Sequence, residues 1–135
     1  MKSLRTAVFR GLRSGLAWDL FLGVLCLLWS LFFIHMFAPG RANVDIANQY
    51  SQAIGKIPVT DWHPPVMSAV WHVLISVTGE QSSLLVLQVG LIALSCWILG
   101  ILVHRLGAPR RVSLLGPAVM VTPWTLSQVG ALGED

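Results

Sequence analysis

Side chains that could do chemistry fall in two places in this sequence. The stretch 45–63 contains Asp45, Asp61 and His63, and the C-terminus carries the pair Glu134 and Asp135. A carboxylate can remove a proton as a general base or bind a divalent ion as a hard oxygen ligand, and the spacing leaves both roles open. Histidine titrates near neutral pH, so its charge and hydrogen bonds depend on pH. Acid–base or ion-assisted chemistry is therefore what these residues could perform.

Asp45 belongs to the stretch NVDIANQYSQAI, whose apolar residues at 46, 47, 50, 53 and 54 follow one face of a helix. We predict an amphipathic helix at about 43–54, with Asp45, Gln49 and Gln52 on a common polar face. Such a helix can lie at a membrane surface with its apolar side down and its polar side up. The alternative for Asp45 is a solvated acid that favours the first turn through the helix dipole.

The element Asp61-Trp62-His63-Pro64-Pro65 precedes a second predicted helix at about 65–78. Two successive prolines fix an extended approach, and a proline in the first helical position sacrifices no hydrogen bond. That structural reason accounts for both prolines without any function. The apolar run 66–78 has 13 residues, which rise only ~20 Å in a helix and cannot cross a hydrocarbon core of ~30 Å.

Metal-ligating spacing is absent from this sequence. His63 and His72 are nine residues apart and share no short zinc-ligand motif with the nearby acids. Cys26 and Cys96 both lie inside apolar runs, where a thiol behaves as a small hydrophobic group. We therefore predict no metal site from the residues.

The elements that must position these side chains are membrane helices. Of the residues, 55% are hydrophobic and only 11% are charged, against roughly 25% charged in an ordinary soluble domain. Seven of the nine Lys/Arg form two short clusters separated by long uncharged stretches. This pattern excludes a water-soluble fold, and it lacks the converging basic face that nucleic-acid binding needs.

Three stretches are long and apolar enough to span a bilayer, and we predict an all-α membrane protein with spans at 16–38, 81–103 and 112–132. The first is longer than the apolar part of a secretory signal peptide, so an uncleaved anchor is favoured. The third contains Pro117 and Pro123, which membrane helices tolerate when neighbouring helices satisfy the freed backbone groups.

Orientation follows from the basic clusters, because Lys and Arg tend to stay cytoplasmic. We predict that the N-terminus, 1–15, and the loop 104–111 are cytoplasmic, in the plasma (inner) membrane. The loop 39–80, with its two juxtamembrane helices, and the segment 133–135 then face the outside. Asp19, at the inner end of the first span, is expected to reach the headgroups or to pair with Arg13 or Arg10.

Taken in order, these features resemble the N-terminal region of the C-type (GT-C) membrane glycosyltransferases, and most closely their protein-mannosyltransferase-like bacterial members. The resemblance rests on the basic leader and single span, on Asp45 in NVDIANQYSQA, and on Asp61-Trp62-His63-Pro64-Pro65 before a short helix through Trp71. It also rests on the acidic pair Glu134-Asp135 after the third span. The order and spacing of these motifs, and their predicted place on one side of the membrane, indicate the family more specifically than any single motif does.

The resemblance implies an enzyme that transfers a sugar from a polyprenyl-phosphate donor to an acceptor on the outer face of the membrane. It implies that Asp45 is the essential acid of the first outer loop and that Glu134 or Asp135 supplies the second acidic motif. His63, where many relatives have Lys, is expected to bind substrate together with Gln49 and Asp61. The lipid bilayer and the donor are the implied partners. No cofactor is certain, and a divalent cation stays open as one, because family members differ and some work without metal.

The chain departs from this superfamily in having far fewer spans than its enzymes. We therefore expect it to be the N-terminal part of such an enzyme, inactive alone. The alternative is a non-enzymatic small multi-pass protein, either an assembly partner or a gene remnant. A transporter is disfavoured because the spans carry almost no ionisable residues at their centres.

Overall fold

The computed structural model describes residues 2–38, 40, 44–60 and 65–125, with 2–14 described by their backbone alone. Residues 123–125 are helical, and six further helices are bounded within the described ranges. They are α1 (Lys2–Phe37), α2 (Val44–Ala53), α3 (Pro65–Thr78), α4 (Ser83–Arg105), α5 (Arg110–Ser113) and α6 (Leu115–Val119). Within the described ranges there is no strand, and the all-α prediction is confirmed there.

Two of these helices contain segments long and apolar enough to cross a membrane. They are Gly15–Phe37 within α1 and Ser83–Arg105, which is the whole of α4. Each has 23 residues, with a mean hydropathy of 2.3 and 2.4 respectively. A helix of that length rises about 35 Å, which exceeds the ~30 Å of a hydrocarbon core. The stretches predicted as the first two spans thus form helices of spanning length.

The stretch predicted as a third span, 112–132, is not one continuous helix over its described part. α5 and α6 meet at Leu114, and a turn follows α6 in which Met120 N–H donates to Pro117 O and Thr122 N–H to Val119 O. Pro117 has no N–H to donate, so it cannot continue the α-helical hydrogen-bond ladder. Residues 126–132 of this predicted span lie outside the described residues.

The chain divides into two compact units. The first comprises Met1–Leu31 and Leu91–Thr122, and the second comprises Phe32–Gly90 and Pro123–Asp135. α1 and α4 each contribute residues to both units, whereas α2 and α3 belong wholly to the second. The described side chains of the predicted outer loop therefore belong to the second unit.

In the first unit, glycines allow α4 and α6 to approach closely. A Cβ atom on Gly116 would lie 2.8 Å from Gly100 N and 2.9 Å from Gly100 Cα. A Cβ on Gly100 would lie 3.0 Å from the carbonyl oxygen of Ser113. Small residues at such crossings let helix backbones pack closely in membrane proteins, so any side chain at Gly116 would force the two helices apart.

In the second unit, Gly55 and Gly79 end α2 and α3 in the left-handed region, with φ of 72° and 74°. Gly55 N–H donates to Gln52 O and Gly79 N–H donates to Ile75 O. Glycine adopts this conformation at no steric cost. The turn at Gly55 leads the chain from the end of α2 into residues 58–60, which are neither helix nor strand.

Candidate functional site between α2 and α3

An aromatic pair joins α2 to α3. The rings of Tyr50 on α2 and Trp71 on α3 lie 5.2 Å apart between centroids, at an interplanar angle of 55°. Trp71 is fully buried, and its indole N–H donates to the carbonyl oxygen of Gln81 at 3.0 Å. A tilted aromatic contact with a satisfied N–H adds to the stabilisation that burial of the ring provides. Trp71 therefore fixes α3 both to α2 and to the chain that leads into α4.

Gln52 lies at the centre of a polar network on the same interface. Its amide nitrogen donates to Thr60 Oγ1 at 3.1 Å, and its amide oxygen accepts a hydrogen bond from Ser68 Oγ at 3.0 Å. Gln52 and Ser68 are both buried. A buried amide is stable only when its hydrogen bonds are made. The network ties three segments together: the last turn of α2, the linker at Thr60, and α3.

The buried face of α2 differs from the expectation drawn from its periodicity. The sequence suggested that Gln49 and Gln52 would share a solvated polar face with Asp45, yet both glutamines are buried together with Ile46 and Ala53. Burial of Gln52 is explained by its two side-chain partners on α3 and the linker. Gln49 Oε1 is buried and accepts no hydrogen bond from the described part of the chain.

His72 is held in one tautomer by the end of α2. Its Nδ1 lies 2.6 Å from the carbonyl oxygen of Ala53. A carbonyl oxygen can only accept, so Nδ1 must carry the hydrogen. In the neutral ring, Nε2 is then an acceptor with a free lone pair. The imidazole itself is exposed.

A cleft of about 510 Å³ opens between the end of α2, the following linker and α3. Its lining is mainly apolar, with Gln52, Ser68 and His72 as the polar side chains among the residues that the structure describes. The apolar lining comes from Ala53, Ile54, Val59, Pro65, Ala69 and Val73. A concave, mostly apolar site with a few converging polar groups is the usual form of a small-molecule site.

The predicted site residues are only partly represented in this geometry. Asp45 lies in the first turn of α2 and is partly buried, and Gln49 lies one turn further on. Neither is among the residues that line the cleft. Asp61, His63, Glu134 and Asp135 lie outside the described residues. Their predicted roles therefore stay predictions.

Within the described ranges, the side chains that could ligate a metal ion are dispersed. No group of three His, Cys, Asp or Glu side chains there could hold such an ion. Asp45 is the only predicted catalytic acid within the same ranges. Chemistry assigned to that part of the chain therefore rests on this single carboxylate.

The first unit contains a buried acid with a partner that the sequence did not predict. Asp19 is 5% exposed, and its Oδ2 accepts a hydrogen bond from Arg105 Nη2 at 2.5 Å. The side chains of Arg13 and Arg10 lie outside the described residues, so the predicted pairing with either of them stays a prediction. Trp97 Nε1 donates to the backbone oxygen of Asp19 at 2.7 Å. The signal that could have found this pair is the placement of an acid and an arginine at the ends of two spans predicted to share one side.

Comparison with known proteins adds no relative. No family model matches this chain, and neither a curated protein nor a solved structure matches it. A functional assignment therefore rests on the residues and their geometry.

Proposed function

We propose that this chain is part of a membrane glycosyltransferase that takes a sugar from a polyprenyl-phosphate donor and transfers it to an acceptor on the outer face of the plasma membrane. The observation that supports the proposal best is the α2–α3 pair. Two short helices, joined by the Tyr50–Trp71 and Gln52–Ser68 contacts, lie in sequence between two helices of spanning length. A donor site needs its residues to be held in place, and two helices packed against each other can do this.

In the proposed reaction, Asp45 takes the proton of the acceptor while the acceptor oxygen or nitrogen bonds to the anomeric carbon of the sugar. The bond from that carbon to the phosphate oxygen breaks, and polyprenyl phosphate leaves. Asp45 lies in the first turn of α2, and a carboxylate positioned there can act as the general base. Glu134 or Asp135 supplies the second acid, and His63, Gln49 and Asp61 contact the substrates.

The proposed topology places the acids on the donor's side of the membrane. The N-terminus is cytoplasmic, the stretch 112–132 crosses the membrane as a third, proline-kinked span, and the loop 39–80 and the segment 133–135 face outside. Under this topology Asp45, Glu134 and Asp135 lie on the same side as a donor whose sugar has been moved to the outer leaflet. The bilayer is both the solvent of the spans and the source of the lipid-linked donor.

The test uses a photoactivatable polyprenyl-phosphate sugar in native membranes that contain the protein. We expect crosslinks within residues 44–78, which an excess of unlabelled polyprenyl-phosphate sugar removes and the water-soluble sugar 1-phosphate does not. Exposed Asn48 on α2 provides a matched control, and Asn48→Ala should crosslink as the unaltered protein does. Absence of competed crosslinks would reject the proposal in favour of a non-enzymatic membrane protein.

A further inference from the structure

The described lining of the α2–α3 cleft is mainly aliphatic. Ile54, Val59 and Val73 contribute such surface, and Gln52, Ser68 and His72 are the polar side chains among the described lining residues. Apolar groups gain free energy when they leave water for such a surface. The described lining therefore fits a molecule with a hydrocarbon body.

The polar side chains of the cleft differ in what they can still bind. Gln52 and Ser68 already hydrogen bond to each other, and Gln52 also donates to Thr60. His72 uses Nδ1–H on Ala53 O. Its Nε2 makes no hydrogen bond within the part of the chain that the structure describes, and it is left as an acceptor by the tautomer that Ala53 imposes. The complementary group on a ligand is a hydrogen-bond donor. Next to the aliphatic lining, a hydroxyl group costs less to desolvate than a charged donor such as an ammonium group.

Location supplies the last constraint. α2 follows the apolar segment that ends at Phe37, and α3 precedes α4, so the cleft lies in sequence between two helices of spanning length. Amphiphilic compounds concentrate at membrane surfaces, where apolar and polar groups can both be satisfied. A volume of about 510 Å³ is within the range of roughly 300–1,000 Å³ that small-molecule sites occupy.

We propose that the α2–α3 cleft binds a membrane-soluble alcohol, with its hydrocarbon body against the apolar lining and its hydroxyl group donating to Nε2 of His72. The alcohol site is separate from the proposed catalytic site, because Asp45 does not line the cleft. Alcohol binding does not depend on glycosyl transfer. His72 is the residue that selects for the hydroxyl group, and Ala53 is the positioning residue that sets the tautomer through its carbonyl oxygen.

The experiment compares two photoreactive probes with the protein in phosphatidylcholine nanodiscs: a diazirine-bearing octanol and its methyl ether. The ether keeps the hydrocarbon body but cannot donate a hydrogen bond. We expect the octanol to label the peptide 52–73 about fivefold more than the ether, the ratio that one ordinary net hydrogen bond produces. Unlabelled octanol should compete for this labelling.

Three variants test whether the difference in labelling between octanol and its ether arises in the cleft. His72→Phe should reduce the octanol-to-ether ratio to about one while the ether still labels, and Ala69→Phe should fill the cleft and abolish labelling by both probes. Val77 lies on α3, is 79% exposed and does not line the cleft, so Val77→Phe should leave the ratio unchanged. Equal labelling by octanol and ether in the unaltered protein, or a ratio that survives His72→Phe, would overturn the proposal.

A second experiment uses only the unaltered protein, so it does not depend on whether a variant folds. Nitrogen-15 NMR of the unaltered protein should show His72 protonated at Nδ1 and unprotonated at Nε2, and added octanol should shift the Nε2 resonance while the methyl ether does not. A ring protonated at Nε2 instead, or the same shift with both compounds, would also overturn the proposal.

Discussion

Ser68 Oγ on α3 donates to Gln52 Oε1 on α2 at 3.0 Å, at a position where both side chains are buried. The two residues are 16 positions apart, so this is a tertiary contact that neither helix could make alone. Through the same amide, Gln52 also holds Thr60 in the linker. One glutamine thereby sets the distance between the two helices that frame the candidate site.

Removing this glutamine should loosen the whole α2–α3 pair. Gln52→Ala leaves Ser68 and Thr60 without their partner, and we expect a loss of roughly 1–3 kcal/mol in the free energy of unfolding. Ser68→Ala should cost less, and the double variant should cost less than the sum because the two share one bond. The measurement is unfolding in mixed micelles titrated with dodecyl sulfate.

Ser51→Ala is the matched control for that series. Ser51 Oγ donates only to Ala47 O of its own helix, so its removal should change the unfolding free energy by no more than about 0.5 kcal/mol. Strictly additive losses for Gln52 and Ser68 would contradict a shared hydrogen bond.

Trp71 contributes through two separable interactions. Trp71→Phe keeps an aromatic ring against Tyr50 but removes the N–H that binds Gln81 O, and we expect a cost of about 1–3 kcal/mol. Trp71→Ala also creates a cavity, and about 3–5 kcal/mol is expected. Hydrogen exchange of the amides of α2 and α3 would report both losses. Val77→Ala, at an exposed position of the same helix, should leave exchange unchanged.

The Asp19–Arg105 pair should matter to the first unit. Arg105→Gln leaves a buried carboxylate without its cation, and we expect a loss of roughly 1.5–3 kcal/mol in unfolding free energy. Arg111, an exposed basic residue on α5, is the control, and Arg111→Gln should have an effect of no more than about 0.5 kcal/mol. Equal effects of the two substitutions in the dodecyl sulfate titration would show that the ion pair adds nothing specific.

Replacing a glycine by alanine should change the unfolding free energy in opposite directions on α6 and on α4. Gly116→Ala places a methyl group against the backbone of Gly100 and should destabilise the first unit by at least about 1–3 kcal/mol. At Gly90, on α4, a Cβ would meet no atom within 4 Å, so Gly90→Ala should be neutral or add about 0.5–1 kcal/mol. Comparison of the two in thermal unfolding checks the packing directly, and it would be contradicted if Gly116→Ala were as well tolerated as Gly90→Ala.

Hydropathy and proline placement located the first four helices, but they did not predict the break of the stretch 112–132 into short helices or which side chains the helices bury. The helices of spanning length at Gly15–Phe37 and Ser83–Arg105 follow from length and apolar composition alone. Periodicity could not reveal that Gln49 and Gln52 face inward, because the partners of Gln52 lie on the linker and on another helix. Asp19 and Arg105 are 86 positions apart, so their pairing depends on how helices pack.

The candidate site also combines features that the sequence predicts with features that depend on helix packing. Helical spacing places Asp45, Gln49 and Gln52 on one polar face. Of these three, Gln52 alone lines the cleft, together with Ser68 and His72 as the other polar side chains among the described lining residues. The sequence assigns His72 no role, since the metal site considered for it lacks ligand spacing, and it gives no sign that the Ala53 carbonyl oxygen would fix its tautomer. Such a contact depends on the relative rotation of two helices, which a linear pattern does not encode.

The proposed glycosyl transfer is tested most directly by measuring how much donor lipid the membrane contains. In cells that lack the whole enzyme of which this chain is proposed to be part, the pool of polyprenyl-phosphate-linked sugar should rise because its consumer is absent. Complementation with the whole unaltered enzyme, or with its Asn48→Ala variant, should restore the pool, whereas the Asp45→Asn variant, present at equal abundance, should leave it raised. An unchanged pool in the deletion strain, or full restoration by Asp45→Asn, would contradict the assignment of Asp45 as the essential acid of a donor-consuming enzyme.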